Sequence, residues 1–118
     1  MFLKVEDDII KFKNPYWSDR LKVSWLQRRI IVHSIIYYFL NSSVIDDFTY
    51  DALSRQLVRM QNKLSKEDFK KTDYYYCMHD FDGTTGFDLY DRLNQEDQSR
   101  LYTIAMLVLR SYQETHKE

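Results

Sequence analysis

The sequence predicts a mainly α-helical domain with two long antiparallel helices, a C-terminal amphipathic helix, and a short β-like hairpin or turn near residues 74–90. Apolar residues recur at spacings of three and four in three segments, and helix-capping residues precede these segments. The chain of 118 residues contains one proline and two glycines, and both glycines fall between 74 and 90. A chain of this length buries a core of its own, so we expect residues 1–118 to be a single domain.

The first long helix is expected to begin after Ser18, which is a suitable N-cap, with Asp19 in the first turn. Residues 1–16 are predicted to be an extended or irregular lead-in that ends near Pro15. Apolar residues then continue almost without interruption from Ile30 to Leu40. Because a helix that is apolar on most sides packs on more than one flank, we place this helix at the centre of the domain.

The second helix follows a break at "NSS", residues 41–43, and Asp46 or Asp47 is expected to cap it. Its apolar stripe consists of Tyr50, Leu53, Leu57 and Met60. A third, short helix is predicted at "SKED", where Ser65 and Asp68 resemble a capping box with Asp in place of Glu.

The second half of the chain changes character at "YYYCMHDFDGTTGF", residues 74–87, which contains Gly83 and Gly86. This segment is interpreted as a β-like stretch that leads into a turn. The last helix is predicted from Gln95 to about Glu114. Its apolar stripe consists of Leu101, Ile104, Ala105, Val108 and Tyr112.

Composition limits the classes of function. The formal net charge is −1, so no overall field attracts nucleic acid, and we expect no sequence-specific nucleic-acid binding. The longest apolar run is too short to span a bilayer. A single cysteine, Cys77, forms no internal disulfide, and no signal-peptide pattern opens the chain, so we expect a cytoplasmic protein. Ten tyrosines and seven phenylalanines favour a contact surface.

Aromatic and acidic residues gather at the junction of the first two helices. Tyr37 and Tyr38 lie about 100° apart around the end of the first helix. Asp47, Tyr50 and Asp51 are related as i, i+3 and i+4, so they project from one side of the second helix. Singly, each has an ordinary structural explanation, such as the helix dipole for Asp47. Together they fit a flat cationic ring or a ribose, through cation–π attraction, charge pairing and hydroxyl donors.

The segment "LQRRIIVHSIIYYFLNSSVIDDFTYDALSRQLVRMQ", residues 26–61, resembles domain Ia, the N-terminal helical domain of bacterial NAD-dependent DNA ligases. The family pattern is roughly L-x-x-x-I-x-x-H-x-x-x-Y-Y-x-x-D-x-x-x-I-x-D-x-x-Y-D-x-L-x-x-x-L. The chain matches it without a gap at Leu26, Ile30, His33, Tyr37, Tyr38, Ile45, Asp47, Tyr50, Asp51, Leu53 and Leu57. It departs at Asn41, where the family often has Asp, and at Met60-Gln61, where Leu-Glu is usual.

In those ligases domain Ia holds the nicotinamide mononucleotide half of NAD over the adenylation domain. The resemblance therefore implies that residues 18–62 form a domain Ia-like helical hairpin, with residues 63–118 as an additional segment. It implies nicotinamide and ribose contacts at Tyr37, Tyr38, Asp47, Tyr50 and Asp51, with nicotinamide mononucleotide or NAD as the ligand and no metal.

The catalytic parts of a ligase have no counterpart in the sequence. The K-x-D-G nucleophile motif is absent, and the nearest string, "DFDG", has Asp80 in the lysine position. We therefore expect no enzymatic activity, and a stand-alone, phage-type ligase-related protein that lacks the adenylation domain. The alternative is a phage or mobile-element protein that binds and inhibits a host protein in a bacterial cell. The target would be the host ligase, an NAD-using enzyme or a defence nuclease, as for an anti-CRISPR protein.

The loop "DFDGTT" permits two further interpretations. Asp80 and Asp82 imitate the D-x-D-G-T motif of haloacid-dehalogenase-type phosphatases, but those enzymes need a parallel sheet and later motifs. Asp80, Asp82, Thr84 and Asp91 also imitate positions 1, 3, 5 and 12 of a calcium loop, with Thr85 where glycine is required. A plain turn is the simplest interpretation.

The remaining reactive or charged residues carry weaker signals. His33, His79 and His116 form no ligand-spaced set, and His33 is expected to make a hydrogen bond at the pocket floor or in the core. Cys77 is expected to be a buried structural thiol. The basic pairs Arg28-Arg29 and Lys70-Lys71 are interpreted as solvated faces. The sequence leaves the oligomeric state and the protein partner open.

Overall fold

The computed structural model describes residues 8–84 and 86–116. The described residues form six helices and contain no strand: α1 (Asp19–Tyr38), α2 (Asp47–Lys63), α3 (Lys66–Lys70), α4 (Tyr75–Met78), α5 (Leu89–Arg92) and α6 (Gln95–Thr115). The mainly helical prediction is confirmed, and so are the two long helices and the C-terminal helix. In these two ranges, no helix is long and apolar enough to cross a membrane.

Side-chain caps fix where the main helices begin. The Ser18 hydroxyl accepts the Leu21 N–H at 3.1 Å, and the Asp46 carboxylate accepts the Thr49 N–H at 2.7 Å. The predicted cap at Ser65 is confirmed as well. Of the two expected caps of α2, Asp46 is the N-cap and Asp47 is the first helical residue. The break after α1 includes Asn41 in the left-handed region at φ 53°, a conformation that Asn tolerates better than most residues.

The first long helix, α1, is the centre of the fold, as its apolar pattern predicts. Every residue from Ile30 to Ile36 is buried, and α1 contacts α2, α5 and α6. Two hydrogen-bonded pairs show that α1 and α2 are antiparallel, because Gln27 pairs with Gln61 and Ser34 pairs with Tyr50.

A buried amide connects the two halves of the chain. Gln27 is fully buried, and its Nε2 donates to Gln61 Oε1 and to Thr72 Oγ1, both at 3.0 Å. Its Oε1 accepts the Tyr74 N–H at 3.1 Å. Buried amides are stable only when their donors and acceptors are paired. Gln27 therefore fixes both α2 and the α3–α4 connection onto α1.

For the segment near 74–90 the sequence predicts a β-like hairpin or a turn, and the structure decides between the two. Residues 75–78 form helix α4, and turns that include Gly83 at φ 90° connect it to α5. The turn alternative is confirmed, whereas the β-like stretch expected within residues 74–87 is wrong, because the described residues of this segment contain no strand. A strand would bury alternate residues, but Tyr76 is 42% exposed. The buried residues are Tyr74, Cys77 and Met78, which share one helical face.

The lead-in lies against α2. The sequence predicts an irregular segment at residues 1–16. Residues 1–7 lie outside the described residues, and residues 8–17 form no helix. The buried Gln56 amide pairs with the backbone of Ile10 in both directions, at 3.0 Å and 2.9 Å. This pairing satisfies a polar group that would otherwise be orphaned inside the protein.

Candidate ligand-binding site

A pocket of about 280 Å³ opens where α1 ends and α2 begins. Its lining consists of His33, Ser34, Tyr37, Tyr38, Ser43, Val44, Ile45, Asp47, Tyr50, Asp51 and Thr84. All five residues predicted as ligand contacts are in this set. The antiparallel packing of the two helices therefore brings Tyr37 and Tyr38 to the same pocket as Asp47, Tyr50 and Asp51.

The aromatic wall comes from the last turn of α1. The rings of Tyr37 and Tyr38 lie 4.8 Å apart between centroids and are perpendicular, at 89°. Their side chains are 52% and 44% exposed, so part of each ring remains accessible at the pocket mouth. Accessible aromatic faces attract cations through the quadrupole of the ring.

The acidic wall comes from the first turns of α2. Asp47 and Asp51 are both exposed, and the described pocket lining contains no lysine or arginine to neutralise them. The N-cap of α2 is Asp46. Hydrogen bonds from Thr49 hold the pKa of the Asp46 carboxyl below its ordinary value. Asp47 is therefore not needed as a cap, and its carboxylate is available to a ligand.

Ser34 of α1 and Tyr50 of α2 line the pocket and are joined by a hydrogen bond, and we call this pair the pocket floor. Ser34 Oγ donates to the Ile30 carbonyl at 3.0 Å, so the Tyr50 hydroxyl is the donor in its 2.8 Å contact with Ser34 Oγ. Burial raises the pKa of Tyr50 above its ordinary value, which keeps the phenol protonated for this role. This hydrogen bond thus ties Tyr50 to α1 in the same pocket lining that contains the two carboxylates.

The second half of the chain supplies another wall. A Cβ built on Gly86 would lie 2.4 Å from both Ser34 Oγ and Tyr50 Oη, so the backbone there packs directly on the floor. Thr84 lines the pocket, and the Phe87 ring lies 6.5 Å from the Tyr38 ring. The sequence pattern did not indicate these residues or Ser34 as part of the site. Ser34 was detectable, since it precedes Tyr37 and Tyr38 by three and four positions, whereas Gly86 had no local signal beyond its rarity.

His33 lies in the wall of the pocket and is only 6% exposed. Burial lowers its pKa to about 4, with a further contribution from the positive charge of Arg29, so the imidazole is neutral at neutral pH. The expected hydrogen bond of His33 is not made at Nδ1, which is buried and has no partner among the described residues. An unpaired buried nitrogen costs free energy.

The carboxylates of Asp80 and Asp82 make contacts within the fold. The Asp80 carboxylate pairs with Arg92, and that hydrogen bond lowers its pKa. Asp82 accepts the Thr84 N–H at 3.0 Å and the Thr84 hydroxyl at 2.6 Å, as in a turn. The phosphatase interpretation is wrong, because that fold requires a parallel sheet and residues 8–84 and 86–116 contain no strand. For the calcium loop, Thr85 lies outside the described residues.

The other reactive side chains do not join the pocket. Cys77 is buried, and burial raises the pKa of its thiol to about 12, which fits the predicted structural role. His79 packs on Tyr75, and His116 stacks on Tyr112. Across the described part of the chain, no three His, Cys, Asp or Glu side chains are grouped to hold a metal ion.

The chain matches no family model, and no significant match was found among curated proteins or among solved structures. The likeness to ligase domain Ia therefore rests on the motif in residues 26–61.

Proposed function

We propose that this chain is a non-catalytic protein that binds nicotinamide mononucleotide, or the mononucleotide half of NAD, in the pocket between α1 and α2. One observation carries the proposal. The five residues that the ligase resemblance implies as ligand contacts all line a single pocket, although they come from two different helices.

The chemistry of the pocket suits the oxidised nicotinamide ring. That ring is a flat pyridinium with a positive charge, which the carboxylates of Asp47 and Asp51 and the faces of Tyr37 and Tyr38 attract. A carboxylate also accepts hydrogen bonds from ribose hydroxyls. Because the two acids are i and i+4 on α2, they repel each other slightly, and a bound cation relieves this repulsion.

The size of the pocket favours a mononucleotide. Its volume of about 280 Å³ lies just below the range of about 300–1,000 Å³ that is usual for small-molecule sites, which favours the mononucleotide half over the whole dinucleotide. In the ligase family the neighbouring adenylation domain covers the nucleotide. Here Thr84 and Gly86 of the same chain stand beside the two helices, which supports binding by the isolated protein.

The test compares nicotinamide mononucleotide with its reduced form, whose ring is neutral, by calorimetric titration. We expect the oxidised form to bind with a Kd below about 1 mM, and the reduced form to bind about 10-fold or more weakly. Asp51→Asn should remove most of this preference. Asp91→Asn, which changes an exposed acid on α5 outside the pocket lining, is the matched control. Equal binding of the two forms, or an unaffected Asp51→Asn variant, contradicts the proposal.

Exposed aromatic residues on α1, on α2 and in the segment before α5 favour a second candidate function, the binding and inhibition of a host protein. Tyr37 is 52% exposed, and Phe48 and Phe87 are 72% and 61% exposed. Aromatic side chains are enriched at the centres of protein interfaces. In this alternative, a phage or mobile-element protein docks on the adenylation domain of a host NAD-dependent ligase.

This alternative is tested with a purified bacterial NAD-dependent ligase. Docking predicts a complex on size-exclusion chromatography and slower self-adenylation of the ligase, both lost in Phe48→Ser. Absence of a complex with the ligase, at concentrations where nicotinamide mononucleotide binds the chain, contradicts this candidate alone.

A further inference from the structure

A second cleft of about 440 Å³ lies between α1 and α6, beside the nicotinamide pocket. It is lined by Trp25, Arg28, Arg29, Val32, His33, Val44, Ile45, Ile104, Val108, Ser111 and Tyr112. Three of these residues, His33, Val44 and Ile45, also line the nicotinamide pocket. The two cavities are therefore neighbours that share one wall.

The two cavities carry opposite charges. The described lining of the cleft includes Arg28 and Arg29 but no acidic residue, whereas the pocket includes Asp47 and Asp51 but no basic one. Both arginines are exposed, and neither makes a salt bridge with any residue in the described ranges. A cation in the pocket and an anion in the cleft would each meet the complementary charge.

Arg29 makes a cation–π contact with Trp25. Its guanidinium lies over the Trp25 ring, 5.3 Å from the centroid. A guanidinium presents its N–H donors in a planar fork that matches the geometry of a phosphate. The Ser111 hydroxyl on the opposite helix adds a further polar group to the cleft.

The predicted apolar stripe of α6 also ends in this cleft. Leu101 and Ala105 are fully buried, but Val108 and Tyr112 remain 36% exposed. The cleft therefore combines a cationic edge with partly uncovered apolar residues, which is the composition of many small-molecule sites.

Residues of both cavities follow one another along α1, since Arg29 lines the cleft, His33 lines both cavities and Tyr37 lines the pocket. Arg29, His33 and Tyr37 follow each other four residues apart, so each lies about 6 Å from the next along the helix axis. Arg29 therefore lies about 12 Å from Tyr37 along the axis, a span that a ribose phosphate and the extended Arg29 side chain would have to cover together.

We propose that the cleft between α1 and α6 is a phosphate subsite, in which Arg28 and Arg29 bind the phosphate of the ligand whose pyridinium ring occupies the neighbouring pocket. This inference rests on the proposed function. It assigns the ligand class as zwitterionic: a cationic ring joined to an anionic phosphate.

The test compares nicotinamide mononucleotide with nicotinamide riboside, which has the same charged ring and ribose but no phosphate. For the native chain we expect the mononucleotide to bind about 10-fold to 100-fold more tightly, the range of a charge-assisted hydrogen bond. In the double variant Arg28→Gln/Arg29→Gln this difference should vanish, through loss of mononucleotide affinity and not of riboside affinity. Thermal unfolding of the variant verifies that it is folded.

Lys70→Gln/Lys71→Gln is the matched control, since it removes two exposed charges outside the cleft lining and should leave both affinities unchanged. Equal affinity of the native chain for the two compounds overturns the subsite and leaves the proposed function intact. So does a double variant that still prefers the mononucleotide. Binding of neither compound overturns both proposals.

Discussion

Ser34 and Tyr50 join α1 to α2 through their hydroxyls, which lie 2.8 Å apart in the lining of the candidate pocket. The Ser34 hydroxyl donates its hydrogen bond to the Ile30 carbonyl, so the Tyr50 hydroxyl is the donor to Ser34. The contact fixes the helix that carries the tyrosines relative to the helix that carries the carboxylates.

Removal of this contact from either side should have coupled effects on stability. We expect Ser34→Ala and Tyr50→Phe to lower the free energy of unfolding by less in combination than the sum of the single losses. The coupling should be about 1 kcal/mol, the usual net value of a hydrogen bond between neutral groups. Urea unfolding of the four proteins in this double-mutant cycle measures it, and additive losses would show that the two hydroxyls are not coupled.

A side chain at Gly86 should destabilise the protein while the hydroxyls of Ser34 and Tyr50 are both present. A Cβ there would lie 2.4 Å from each oxygen, so Gly86→Ala must displace the floor of the pocket. We expect a loss of about 1–3 kcal/mol in stability, as for overpacking elsewhere, together with weaker nucleotide binding. Denaturant unfolding and the same ligand titration measure the two effects.

The background Ser34→Ala/Tyr50→Phe is the control for this steric argument. Both close oxygens are then absent, and the next atom is Leu89 Cδ1 at 3.0 Å, at the end of a side chain. Gly86→Ala should cost clearly less in this background. An equal cost in both backgrounds would place the conflict in the backbone and not at the two hydroxyls.

His33 should make the protein less stable in mild acid. Its pKa is about 4 in the folded chain and about 6.5 when unfolded, so the unfolded chain takes up the proton first. Stability should therefore fall as the pH decreases from about 6.5 to about 4, by roughly 3 kcal/mol in total, and His33 should add no pH dependence above that window. Denaturant unfolding between pH 4 and 7.5 measures this slope.

His33→Leu removes the titrating group and should flatten the profile between pH 4 and 6.5. The carboxyl groups of Asp46, Asp80 and Asp82 have pKa values below the ordinary 3.8, so their protonation contributes below this window. A slope that persists in His33→Leu would assign the acid sensitivity to other groups.

Gln27 should be required for the docking of the second half of the chain. Gln27→Met keeps the volume but leaves the Tyr74 N–H and the Gln61 carbonyl oxygen without their partner. We expect a loss of about 2–4 kcal/mol, because unpaired buried groups carry the desolvation cost. Thermal unfolding measures it. Gln113→Met, at an exposed site of α6, is the control and should change the midpoint little; equal effects at both sites would contradict this role.

The local sequence was sufficient to predict where α1 and α3 begin and which part of α1 is buried. The caps at Ser18 and Ser65, and the buried run of α1, were predictable because they depend on neighbours within one or two turns. The β-like stretch expected within residues 74–87 was predicted incorrectly at the local level. Its tyrosines favour a strand, but burial of Tyr74, Cys77 and Met78 on one face selects a helix.

By itself, the sequence determined a mainly helical fold with an aromatic pair at the end of α1 and a carboxylate pair at the start of α2. Both pairs follow from helical periodicity, which is a short-range property. Only the tertiary structure decided that Gly86 packs against the hydroxyls of Ser34 and Tyr50. It also decided that a basic cleft adjoins the acidic pocket across His33. Such contacts join residues tens of positions apart, because they depend on how complete helices pack.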